Sequence, residues 1–111
     1  MFKSKITGLG FYVPENIVSN DDLSKLMETS DDWISERTGI KNRRWVGDKK
    51  LTTSLMGTYA AEKAIAAAGI DKNDIDFIIF STLSPDYYFP GSGVLLQRNL
   101  GIKEIGALDV R

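Results

Sequence analysis

The sequence predicts an α/β fold, and three observations lead to it. Two short apolar runs, 76–82 and 105–110, read as strands. Segments with helical spacing precede and separate them, and these stop at Gly39, Gly69 and Gly101. Strand-like and helix-like stretches then alternate along the chain without an internal repeat or a low-complexity linker, which is the pattern of α/β layering.

Taken in order, 6–13 reads as a first strand, stopped by Pro14, which has no N–H to give to a ladder. Asn20 or Asp21 can cap a short helix through Leu23, Leu26 and Met27. Ser30 opens a second helix, with Asp31 and Asp32 in its first turn, where carboxylates face the positive end of the helix dipole. Trp33, Ile34 and Arg37 follow before Gly39 ends it. Residues 40–46 read as a basic extended segment that turns at Gly47 and Asp48. The longest helix starts at Thr53 or Ser54 and runs to about Ala68. Met56, Tyr59, Ala60, Lys63, Ala64 and Ala67 share one broad face of it, and its many alanines let neighbours approach closely; beyond Gly69, Ile70 is placed to fold back as a hydrophobic cap. A turn at 71–74 leads into the strand at 76–82, whose unbroken apolar character suits cover on both faces. Pro85 and Pro90 bracket a loop of Asp86, Tyr87, Tyr88 and Phe89. Gly91 to Gly93 leads into a helix through Leu95, Leu96 and Leu100, and 105–110 is the last strand.

Composition narrows the function classes. The 111 residues suit one small domain, and 42% hydrophobic with 26% charged residues argues against disorder. A net charge of −1 gives no electrostatic reason to expect nucleic acid. No apolar run approaches the roughly 20 residues that span a bilayer, and no signal-peptide core follows Met1, so a soluble cytoplasmic chain is expected. The chain has no Cys and no His. A disulfide framework is thereby excluded, the two commonest metal ligands are missing, and a Ser nucleophile would lack its usual base.

Five motifs have both a chemical and a structural reading. Gly8-Leu9-Gly10 lacks the third glycine of a dinucleotide loop, with Val13 in its place, so structural glycines are favoured. Gly91-Ser92-Gly93 at a helix start could hold an anion on its N–H groups, but no Lys-Ser/Thr follows, and a tight entry into a packed helix is the better reading. Trp33 and Arg37 lie one helical turn apart on one face and could sandwich a flat ring such as adenine. Spacing alone favours the plainer alternative, a partly buried indole beside a solvated or ion-paired arginine. Arg37, Lys41, Arg43, Arg44, Lys49 and Lys50 make a locally basic stretch that would attract phosphates or an acidic protein, unless it is simply a solvated hairpin. Tyr87, Tyr88 and Phe89 suit an interface or an apolar pocket wall as well as they suit packing on this chain's own surface.

The string Thr29-Ser30-Asp31-Asp32-Trp33-Ile34-Ser35-Glu36-Arg37-Thr38-Gly39-Ile40 closely resembles a segment of the 3-oxoacyl-[acyl-carrier-protein] synthase III family, among the thiolase-fold condensing enzymes. Ile6-Thr7-Gly8-Leu9-Gly10-Phe11-Tyr12-Val13-Pro14 is similar to that family's first strand, 53–69 to its long Ala-rich helix, and Phe89-Pro90 to the loop before its next helix. The resemblance implies the N-terminal part of a thiolase-like fold over residues 1–111, a mixed sheet with helices packed on it. It implies an acyltransferase of fatty acid biosynthesis that condenses an acyl-CoA primer with malonyl-acyl-carrier protein, with no cofactor beyond its substrates. By this likeness Thr29, Trp33 and Arg37 contact the adenine end of CoA, which reverses the reading from spacing alone. Phe89 would wall the acyl pocket, across a homodimer interface. The family's nucleophilic Cys lies a few residues past a strand resembling Ala107-Leu108-Asp109-Val110, and its His and Asn far beyond, so no catalytic residue is expected in this chain and it is expected to be inactive alone. Two departures leave the primer open: Arg111 is bulky where the family has small residues, and Leu83-Ser84-Pro85-Asp86-Tyr87-Tyr88 differs from its Thr/Ser/Ala-rich version. The alternatives are another thiolase-superfamily enzyme of a specialised pathway and a short, non-catalytic binding domain.

Overall fold

The structure is a computed structural model that describes residues 3–47 and 50–111. It divides into two compact units, Val13–Lys50 and a second made of Met1–Tyr12 with Leu51–Arg111.

In the Val13–Lys50 unit, β1 (Ile17–Ser19) pairs antiparallel with β2 (Asn42–Arg44), with Val18 opposite Arg43. Three residues are too few for an alternating pattern to be legible, which is why β1 escapes a sequence reading. Helix α1 (Asn20–Ser24) follows directly. Its cap is Ser19, not the expected Asn20 or Asp21. Ser19 Oγ accepts from the Asp22 N–H, and the Asp22 carboxylate accepts from the Ser19 N–H, both at 3.1 Å. Because the strand ends on an extended Ser19, the helix begins one residue early, and Asn20 turns inward instead. Helix α2 (Asp31–Thr38) is capped as expected, with Ser30 Oγ accepting from the Trp33 N–H at 3.1 Å and Gly39 closing it in the left-handed conformation. The expected turn at Gly47-Asp48 and the cation Lys49 fall at or on residues outside those described.

In the other unit, α3 (Thr53–Ala68) is followed by a 3₁₀ turn (Lys72–Asp74), β3 (Phe77–Ser81), α4 (Gly93–Leu100) and β4 (Gly106–Val110). Strands β3 and β4 pair in parallel, Ile78 beside Ala107 and Ile79 beside Leu108. Parallel partners need a crossover, and α4 supplies it. The core forms beneath one face of this pair: Ile78, Leu96, Leu100 and Ile102 are buried, with Ala61, Ile65 and Phe80 packed against them. The cover expected on both faces of β3 is present on one side only among the described residues. Ile78 faces inward, whereas Phe77 and Ile79 are exposed, Ile79 by 68%, and Leu108 and Val110 on β4 are open with them.

The segment 6–13 is not a strand. No described backbone group pairs with it, and a strand is defined by that pairing. It keeps a strand's alternation, with Gly8, Gly10 and Tyr12 turned in and Leu9 and Phe11 out. What it packs on is α3: a Cβ at Gly8 or Gly10 would collide with the backbone of Ala64 or Ala60. Helix α3 therefore has two working faces. Gly57, Ala61 and Ile65 serve the core, while Ala60, Lys63 and Ala64, members of the face expected from spacing, receive the N-terminal segment.

Candidate functional site

Within the Val13–Lys50 unit, the residues singled out by the sequence meet at α2. Trp33 is 54% exposed, and Arg37, one turn later, lies over it with its guanidinium carbon 4.4 Å from the ring centre. Arg37 Nη1 also donates to the Trp33 carbonyl at 3.3 Å, and a weak ion pair to Glu36 spans 3.8 Å. Thr29 sits just before the Ser30 cap, and its Oγ1 is buried without a hydrogen-bond partner among the described residues. A buried hydroxyl left unpaired costs free energy, so it is a group in want of a partner.

The platform under this face is held by Asn20, which is 1% exposed. Asn20 Nδ2 donates to Asp31 Oδ1 at 2.6 Å and to the Ile40 carbonyl at 2.8 Å, and its Oδ1 accepts from Arg43. Asp31 also accepts from Ser35 Oγ at 3.1 Å and from Lys41 Nζ at 3.2 Å. Hydrogen bonds from Asn20, then Lys41 and Ser35, hold the Asp31 carboxyl below its ordinary range. Asp22 is lowered too, chiefly by its hydrogen bond from Lys25.

The basic stretch is only partly available to a ligand. Arg43 is a brace, donating to Asn20 and to the Val18 carbonyl at 3.3 Å, and Arg44 Nη1 donates to the carbonyls of Pro14 and Glu15 at 3.0 and 3.3 Å. Lys41 is paired with Asp31. Their charges remain, but the guanidiniums are oriented by neutral carbonyls, which leaves part of the positive field for phosphate.

Phe89 belongs to the other unit, on the loop between Pro85 and Pro90. It is 91% exposed, with Tyr87, Tyr88 and Leu83 also open. The loop has a polar base that sequence reasoning missed. Asp86 accepts from the Ser54 N–H at 3.1 and 3.2 Å, at the start of α3. The Asp86 N–H donates to Ser92 Oγ at 3.0 Å, and Ser92 Oγ donates back to Asp86 Oδ2 at 3.3 Å. Burial works to raise the Asp86 carboxyl, but hydrogen bonds from Ser54, Thr52 and Ser92 together hold it below its ordinary range.

The Gly91-Ser92-Gly93 turn does hold an anion, and the anion is internal. Asp109 on β4 accepts from the Ser92 N–H at 2.8 Å and the Gly93 N–H at 3.1 Å. Gly91, at φ +96°, lies so close to this carboxylate that a Cβ would be 2.6 Å from it. Beside the loop, Ser54, Leu55, Tyr87, Leu95 and Arg98 line an open hollow of about 390 Å³. Among the described residues no cluster suited to a metal ion is present, and no helix is long and apolar enough to cross a membrane.

Comparison with known proteins bears on this geometry. No protein-family model matches the chain. A beta-ketoacyl-[acyl-carrier-protein] synthase III of Chlamydia pneumoniae is 55% identical over 107 residues, which cover 96% of this chain and 32% of that protein. The crystal structure of 3-oxoacyl-[acyl-carrier-protein] synthase III from Aquifex aeolicus superposes with a TM-score of 0.90 at 42% identity, covering 96% of this chain and 34% of that one. Over 96% of its length the chain is similar to one segment of proteins of the 3-oxoacyl-[acyl-carrier-protein] synthase III family. Its α/β arrangement is the corresponding part of that family's thiolase-like fold. The chain spans about a third of the length of the synthase III relatives it matches. The priming beta-ketosynthase of the R1128 polyketide pathway shares the fold as well, with a TM-score of 0.89 at 31% identity over 96% of this chain and 31% of that one.

Proposed function

We propose that this chain forms the coenzyme A-binding wall of an acyltransferase that condenses an acyl-CoA primer with malonyl-acyl-carrier protein in fatty acid biosynthesis. The observation behind this reading is the exposed Trp33–Arg37 stack on α2, with Thr29 just before the Ser30 cap of that helix. An indole with a guanidinium laid on it is a flat surface on which a purine can stack. Adenine would stack on this unit, Thr29 Oγ1 would turn out from its buried position to reach it, and the charges of Arg43 and Arg44 would draw the phosphates. At 4.4 Å, the two groups leave no room for a ring between them. Adenine would therefore either stack on the outer surface or displace Arg37 from the Trp33 carbonyl.

With no Cys and no His in the sequence, the nucleophile and base of such a reaction come from outside these 111 residues. Phe89, exposed on its loop, would wall the acyl pocket across a homodimer interface, where an exposed aromatic finds cover. The reading is tested in the full-length synthase with every tryptophan except Trp33 replaced by Phe, by titrating CoA while following the emission of Trp33. Saturable quenching is expected, with CoA affinity lost in Trp33→Ala. An emission that does not respond, together with unaltered affinity in Trp33→Ala, would remove the site from α2.

A further inference from the structure

We propose that Arg111 is a positioning residue for Phe89, and that through it Arg111 sets which acyl primers are accepted; this rests on the reading of Phe89 as a wall of the acyl pocket. An aromatic ring that is 91% exposed gauges the length of a substrate only if its backbone is held. The loop is held at its base and again near its tip. At the base, Asp86 and Ser92 exchange two hydrogen bonds across six residues, and Ser92 is 0% exposed with its N–H fixed on Asp109. That clasp sets where the loop begins and ends.

Near the tip, the fastening is Arg111. Its Nη2 donates to the Tyr88 carbonyl at 3.2 Å, and its guanidinium carbon lies 5.3 Å from the centre of the Tyr88 ring. Tyr88 is the residue before Phe89, so the peptide bond that orients Phe89 is the one Arg111 grips. Arg111 directly follows Val110, the last residue of β4, and so ties the loop to the end of that strand. The planar fork of a guanidinium can donate in its plane while presenting its face to a ring; an ammonium cannot do both in the same geometry, and a small side chain can do neither.

The test uses the full-length synthase and the ratio of kcat/KM for acetyl-CoA to kcat/KM for hexanoyl-CoA. Arg111→Ala is expected to shift this ratio by about tenfold, the scale on which pocket walls discriminate short chains. Arg111→Lys should restore part of the shift. In a Phe89→Ala background, Arg111→Ala should shift the ratio no further, since no ring is left to position. If Phe89→Ala alone leaves the ratio unchanged, the pocket-wall reading fails and the inference with it. If Phe89→Ala shifts the ratio but Arg111→Ala does not, or Arg111→Ala shifts it equally in both backgrounds, the inference about Arg111 alone is overturned.

Discussion

Arg37 rests on Trp33 twice over, its guanidinium carbon 4.4 Å from the indole centre and its Nη1 bonded to the carbonyl of the same residue. The pair is preset as one surface, so removing either member disturbs the other. Arg37→Ala is expected to weaken CoA binding about fivefold, from the roughly 1 kcal/mol of an exposed cation–aromatic contact. Titration of Trp33 emission in the full-length protein with every other tryptophan replaced by Phe measures it. Affinity unchanged by Arg37→Ala would exclude the guanidinium from the site.

Asn20 is the point on which the platform beneath that pair turns. Asn20→Ala would leave Arg43 with the Val18 carbonyl alone and the Ile40 carbonyl without its donor. A loss of about 2–4 kcal/mol is expected, the scale for stranding a buried polar group and weakening a charged one. A urea midpoint within experimental error of the parent protein would show that the network reorganises freely.

Gly10→Ala tests the seat of the N-terminal segment on α3. The added Cβ would press on the backbone of Ala60 and Ala64, which cannot swing aside as a side chain can. About 1–3 kcal/mol of destabilisation is expected. Ala64→Gly should recover little of it, because the obstacle at Gly10 is main chain. Full recovery would place the clash at the Ala64 methyl.

Acid should loosen both units. The Asp31 and Asp86 carboxyls are held below their ordinary range in the folded chain. A lowered folded value means that the unfolded chain takes up the proton first. The stabilisation is therefore full above the ordinary carboxylate range near pH 4 and is lost as pH falls through and below it. Urea midpoints followed downward from about pH 6 should decline most steeply below about pH 4. Asp86→Asn should flatten part of that decline. An identical slope in Asp86→Asn would show that this carboxyl contributes none of it.

Much of the fold was legible because its signals are local. The caps Ser30 and Gly39, the stops at Gly69 and Gly101 and the apolar run of β3 each act within a turn or so of their own position. What escaped depends on distant partners. Segment 6–13 has the alternation of a strand, yet what it meets is a helix some fifty residues later. Asn20 looked like a cap and is a hub because Ile40 and Arg43 lie opposite it. The candidate site divides the same way. The spacing of Trp33 and Arg37 placed them on one helical face, and the stack of one on the other follows from it. The Asp86–Ser92–Asp109 base was hidden, since a Gly-Ser-Gly turn announces room for an anion without saying that the chain itself provides one.

The N-terminal segment separates two properties that usually travel together. Residues 6–12 are located by contact with alanines and by a bond from Lys63 to the Phe11 carbonyl at 3.2 Å, while no described backbone group accepts from their amides. With no backbone acceptor among the described residues, amide protons there should exchange for deuterium within seconds to minutes, long before those of α3. An exchange map alone would report a frayed end. The crowding of Gly8 and Gly10 against α3 means that the same residues occupy a single path along the helix, ordered in position and yet unprotected.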